Sequence, residues 1–246
     1  MSNSKPSYTI SRASLADVAR IGLISTIAFD RDTHSQMKIM GQRPGAFAAG
    51  MAAGARSWIE SPRAVLIKAV DDRDGTIVGS CAWGFRGVDM DASPGPGAAA
   101  ADDEAAIKEN QVGGEEPAGA ERVKELEATT SKHMFDFMGR VMPEGSKCMF
   151  IGGITVDPAH EGQGVGSLLL RWGAAHADRL GAFSWVHSSE AGWPLFRRHG
   201  YEEVDRLTFD LDEYAAGPPC GVFAGREKWG EYTFRYGLRQ PVTVSE

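Results

Sequence analysis

Cysteine is scarce: Cys81, Cys148 and Cys220 are the only three in 246 residues. An odd number at wide spacing offers neither a disulfide framework nor a zinc-type ligand pattern. The thiols suit a reducing compartment, and no metal site is expected. No run of about 20 apolar residues occurs, which excludes a membrane-spanning helix. The polar segment Met1–Ser7 lacks the apolar core of a secretory signal, so a cytoplasmic location is expected. Basic residues are in deficit, with 26 Lys and Arg against 33 Asp and Glu and a formal charge of −7. Nucleic acid and anionic membranes reward a clustered basic excess, so neither is expected as a partner.

What is present is an interleaving of strand and helix signals along a chain long enough for one large domain. Tyr8–Arg12 reads as a strand, and Ser14-Leu15-Ala16-Asp17 as a capping box opening a helix that ends near Phe29. A second helix is predicted within Pro44–Glu60, stopped by Ser61-Pro62. The β-rich runs Ala64–Val70 and Thr76–Trp83 flank an Asp-Gly turn and predict a hairpin. Residues 87–120 differ in kind, with four consecutive alanines, Pro-Gly-Pro-Gly, eight acids and one lysine. Such a stretch buries too little to offset its ordering entropy and predicts a mobile insertion in an otherwise single domain. Helical spacing returns over Glu121–Met138. Strands are expected at Lys147–Val156, Ala182–His187, Tyr201–Leu211 and Glu231–Leu238. A helix ending at Gly181 and a short one over Gly192–His199 separate them. The pattern defines an α/β (α+β) class with a mixed sheet.

One segment carries chemistry. The apolar strand through Ile154-Thr155-Val156 turns at Asp157-Pro158 and runs into Glu161-Gly162-Gln163-Gly164-Val165-Gly166-Ser167, which opens an amphipathic helix. A glycine-rich turn at a helix start presents bare backbone N–H groups and binds phosphate. A Walker loop would need Gly-Lys-Ser/Thr, and none is present. A dinucleotide fingerprint would need another glycine where Leu169 stands, and an acid near His187.

Val156-Asp157-Pro158 followed by Glu161-Gly162-Gln163-Gly164-Val165-Gly166 resembles motif A of the GCN5-related N-acetyltransferase (GNAT) superfamily, Gln/Arg-x-x-Gly-x-Gly/Ala after a strand. Ala191–Tyr201 is similar to that family's second cofactor segment, about 30 residues further on. The resemblance implies a mostly antiparallel central sheet of about six to seven strands, flanked by helices and splayed in the middle to hold an acyl-CoA. It implies that amides from Gly162 to Ser167 cradle the pyrophosphate, and that Ile154, Thr155 and Val156 bond the pantetheine arm. Ser189 stands where many members place an asparagine on that arm.

The chain departs from the family at four positions. Glu161 replaces the usual Gln or Arg and has to turn outward. Phe196 occupies the place of a tyrosine that protonates the leaving thiolate and cannot do so. Ser184, where some members carry a glutamate base, cannot take that role either. Tyr201 stands in the place of a core phenylalanine. His187, at the end of its strand, is the expected general base, its reference pKa near 6.5 suiting the task; Glu190, Asp30 and His34 are weaker candidates. Acceptor choice is expected to reside in Asp30–Arg43 and the second helix, with Trp229 and Tyr232 as an opposite wall. The resemblance implies transfer of an acetyl group from acetyl-CoA to the amine of a small molecule, by a monomer or homodimer. The acidic balance suits a cationic acceptor. A protein or peptide N-acetyltransferase and a non-catalytic acyl-CoA-binding domain are the alternatives.

Overall fold

The computed structural model describes residues 6–88 and 117–242. The elements, in chain order, are β1 (Tyr8–Arg12), α1 (Val18–Phe29), α2 (Thr33–Met40), α3 (Ala46–Glu60), β2 (Ala64–Asp71), β3 (Ile77–Arg86), α4 (Ala120–Val141), β4 (Cys148–Val156), α5 (Val165–Leu180), β5 (Phe183–Ser188), α6 (Trp193–Arg198), β6 (Glu202–Asp210) and β7 (Glu231–Arg239). Most of the expected acidic insertion, residues 89–116, lies outside the described residues. Among the described residues, no helix is long and apolar enough to cross a membrane.

The seven strands form one sheet in the order β1-β2-β3-β4-β5-β7-β6. Every neighbouring pair is antiparallel except β4–β5. Burial on both faces explains the unbroken apolar run of β2: Val65 and Ile67 pack toward α5, whereas Leu66 joins Ile21 of α1 and Ala55 of α3. On the α1/α3 side, Phe137 of α4 packs on Trp185 and Tyr236. Met37 of α2 is buried with Val123, Leu126 and Tyr232.

The segment after α1, for which the sequence predicted no element, holds the helix α2. Asp32 caps α2 by accepting from the Ser35 amide at 2.9 Å and its hydroxyl at 2.7 Å. Burial of Met37 then stabilises two turns that propensity alone would leave marginal. The capping box ahead of α1 works from its acidic end: the Asp17 carboxylate accepts from the Ser14 amide at 2.7 Å and pairs with Lys68 at 2.7 Å.

Two features open the sheet. Pairing of β4 with β5 covers only Cys148–Ile151 against Phe183–Val186, and the strands part beyond it. His187 and Ser188 continue β5 alongside Tyr236 and Arg235 of β7. At the parting point β4 bulges: Trp83 opposes Ile151 and Ala82 opposes Gly153, which leaves Gly152 as the extra residue. A bulge bends its strand and increases its twist. Glycine is required there because a Cβ would lie 2.0 Å from Cζ2 of Trp58.

A similar constraint sits under the sheet, where a Cβ on Gly173 of α5 would lie 2.0 Å from Cε2 of the fully buried Trp83. Gly173→Ala should therefore destabilise the protein by about 1–3 kcal/mol through overpacking. Thermal unfolding checks this, and an unchanged melting temperature would contradict it.

Candidate active site

The turn after β4 is shaped for an anion. Asp157 caps a short 3-10 turn by accepting the Ala159 amide at 3.0 Å, with Pro158 as its first residue. The chain then passes through Gly162 at φ 71° and Gly164 at φ 91°, both in the left-handed region that penalises side chains. A Cβ at either glycine would meet nothing within 4 Å, so conformation rather than crowding calls for glycine and the space above stays open. The Glu161 amide bonds Pro158 and the Leu168 amide bonds Gly164. Between them, the amides of Gly162 to Ser167 donate to no carbonyl among the described residues and lie at the positive end of α5.

Side chains in this turn serve the protein rather than a ligand. Gln163 accepts from the Tyr8 hydroxyl at 2.7 Å and donates to the Ala159 carbonyl at 3.0 Å. Glu161 does turn outward, 3.8 Å from Arg31. Val165 is buried in the core. Gly166 answers to packing, since a Cβ there would come within 3.0 Å of Leu195 on α6. The Ser167 hydroxyl lies 2.9 Å from Nε2 of His199, which ties α5 to α6.

Along the opening, β4 offers unpaired backbone on its β5 side. The Asp157 amide donates to Val78 of β3 at 2.8 Å. Alternate residues of an antiparallel pair turn both backbone groups toward the partner. Thr155 and Gly153 thus face β3, and Ile154 and Val156 face the gap. Thr155 pairs with Ser80 of β3, and its side chain is buried, with its hydroxyl 3.1 Å from that of Ser25.

Ser189 accepts the Gly192 amide at 3.2 Å, its carbonyl accepts the Trp193 amide at 3.1 Å, and it borders the gap. Phe196 is buried edge-on to Tyr201, far from any proton-transfer role. Ser184 and Tyr201 are buried and hydrogen-bonded to each other at 2.9 Å. The Cys148 thiol is buried and pushed up to about 11 by burial, which removes it as a nucleophile.

Beside the gap lies a cavity of about 290 Å³. Its walls come from the end of α1 (Phe29), α2 with its cap (Asp32, His34, Lys38), α3 (Phe47, Met51), α4 (Met134), β5 (His187) and β7 (Tyr232, Phe234). The expected acceptor segment and Tyr232 do meet here; Trp229 is buried beneath, donating to the Gly217 carbonyl at 2.9 Å. Asp32 and Lys38 were not singled out by sequence, although an Asp three residues before a Ser is a readable cap. Glu190 stands aside, accepting the Thr233 amide at 3.0 Å.

His187 stacks on Tyr236 at 4.7 Å and contacts Phe234 at 4.3 Å. Its Nε2 is buried and has no hydrogen-bond partner among the described residues. Burial, and secondarily the charge of His133, lowers its pKa to about 4, well under the ordinary value expected from sequence. The imidazole is therefore neutral at pH 7 with a free lone pair, but it is a weaker base than its residue type suggests. His34 is similarly lowered to about 3 by burial, Lys38 and His187.

The model of the acetyltransferase (GNAT) family matches residues 50–201, and the chain belongs to that family. A comparison with curated proteins finds no match. Among solved structures, the fold is similar to mosquito arylalkylamine N-acetyltransferase-like 5b, with a TM-score of 0.54 and 17% identity over 95% of this chain and 100% of that one. It is also similar to a histone acetyltransferase HPA2 and related acetyltransferase from Corynebacterium glutamicum, at 0.53 and 15% over 98% and 99%. The family match begins within α3 and ends just after α6. Most of the cavity wall, from Phe29 to Phe47 and from Tyr232 to Phe234, lies outside it.

Proposed function

We propose that the protein transfers the acetyl group of acetyl-CoA to the amine of a small molecule held in the cavity beside His187. The observation that carries this reading is the alignment of three features: the open amide cradle at Gly162–Ser167, the unpaired edge of β4, and a cavity lined by a partnerless imidazole. The residues fit the cofactor. Six donor amides at a helix start complement a diphosphate, and the backbone of Ile154 and Val156 complements the amide-bearing arm. When bound, acetyl-CoA supplies a thioester carbonyl as electrophile.

The chain's part is positioning and proton transfer. The cavity, near the small end of the range for ligand pockets, holds the acceptor nitrogen close to the gap. His187 accepts, at Nε2, the proton that this nitrogen sheds as its lone pair is drawn into the new bond. As the nitrogen–carbon bond forms and the carbon–sulfur bond breaks, that nitrogen becomes far more acidic than a free ammonium, so a weak neutral base suffices; the coenzyme would leave as a thiolate that takes its proton from water. Unpaired amides at the gap hold the charge that develops on oxygen. The similar fold of mosquito arylalkylamine N-acetyltransferase-like 5b is in keeping with a small amine acceptor.

Thiol release from acetyl-CoA, followed with a panel of small amines and lysine-containing peptides, tests the proposal. The expected result is turnover with at least one small amine, at a kcat/KM roughly tenfold or more above any peptide. Peptide preference would favour the protein-acetyltransferase alternative. Coenzyme A binding with no thiol released by any amine would favour the acyl-CoA-binding domain.

A further inference from the structure

Asp32 is a carboxylate only 9% exposed, on the wall of the acceptor cavity. Its Oδ1 accepts from the Tyr232 hydroxyl at 2.6 Å, and its Oδ2 accepts from the Ser35 amide and hydroxyl. Among the described residues, no cationic side chain forms an ion pair with it. Lys38, the cation nearest in the cavity wall, is committed to Glu127 at 2.5 Å. The imidazoles of His34 and His187 share the cavity, and the causes that depress their pKa values keep both neutral. Three hydrogen bonds at the start of α2 hold this carboxylate, but no cation neutralises its charge, and a buried charge is costly until one does. Asp32 lines a cavity that a ligand can enter. Phe29, Phe47 and Phe234 line the same cavity, with the His34 ring packed on Tyr232 at 5.3 Å and on Phe234 at 4.9 Å, so its remaining wall is largely aromatic.

We infer that Asp32 receives a second cationic group of the acceptor, so that the preferred substrate is a diamine or comparable two-ended cation. The inference rests on the acyl-transfer reading for its reacting end. Its ruler is β7, on which Tyr232, Phe234 and Tyr236 share one face. Strand rise puts Tyr232 roughly 7 Å from Phe234 and roughly 13 Å from Tyr236. The ring of His187 contacts both of the latter, and Asp32 sits on the hydroxyl of the former. An acceptor that offers one nitrogen to His187 and another to Asp32 must span a distance of that order, with methylenes against the aromatic wall between.

The test compares a series of linear diamines, propanediamine through octanediamine, with monoamines of equal carbon number. Turnover with acetyl-CoA and calorimetric binding in the presence of coenzyme A are both read. Wild-type protein should prefer diamines, with an optimum at one chain length. Asp32→Asn should lower the diamine-over-monoamine ratio by about 10- to 100-fold, the scale of a hydrogen bond to charge. Asparagine caps a helix as well as aspartate does, and thermal unfolding monitors its folding. If the variant fails to fold, the wild-type profile decides: affinity rising equally in both series with carbon number overturns the inference. A ratio near one, or one indifferent to Asp32→Asn, also overturns it. Diamine-selective binding that needs Asp32 without turnover upholds the subsite and refutes acyl transfer instead.

Discussion

Gly164→Glu should weaken coenzyme A binding by about 100-fold or more while leaving the protein folded. The added Cβ meets no atom within 4 Å, so the substitution provokes no clash. The left-handed φ of 91° costs about 1–2 kcal/mol in stability. That cost applies to the free and bound states alike and does not itself reduce affinity. The loss in affinity comes from the new carboxylate, which projects where the unpaired amides of Gly162 to Ser167 converge. Two like unit charges about 5 Å apart near a protein surface repel by roughly 3 kcal/mol, and each 1.4 kcal/mol is tenfold in affinity. Calorimetry with coenzyme A, beside a thermal melt, separates the two effects. Undiminished affinity in a folded variant would place the diphosphate elsewhere and remove the basis of the proposed function.

His187→Ala should reduce kcat by about 10²–10⁴-fold, the usual contribution of a positioned base, with little change in coenzyme A affinity. The pH profile makes the assignment specific. Because burial lowers the folded-state pKa to about 4, the imidazole is already deprotonated above that value. Wild-type kcat should rise through pH 4 and show no His187 break near 6.5. The variant should lose the low-pH limb together with the rate. A break near 6.5 that persists in His187→Ala would assign the base to another group. Both outcomes are accessible to the thiol-release assay that establishes turnover.

Features governed by neighbours in the chain are legible in the sequence. The turn at Asp157-Pro158, the glycines at φ 71° and 91°, and the end of α5 at Gly181 are local events, dictated by which residues tolerate a given backbone angle. Strand and helix periods place β1, the β2–β3 hairpin and α4 close to their observed limits. By contrast, α2 is hard to read because its two turns depend on burying Met37 under β7 and α4 as much as on the Asp32 cap. The separate duty of Gly166, which admits Leu195, is hidden among glycines that look alike in sequence.

Residue order was enough to define the glycine-rich turn before α5 and the alternation of strands and helices, since periodicity, caps and glycine angles are set within a few residues. The acceptor side came instead from long-range packing. The Asp32–Tyr232 hydrogen bond joins residues 200 apart, the Gly152 bulge needs Trp58 from another element, and the depressed basicity of His187 comes from the rings that bury it. Desolvation and non-local contact depend on which surfaces meet in space, and chain order does not encode that distance.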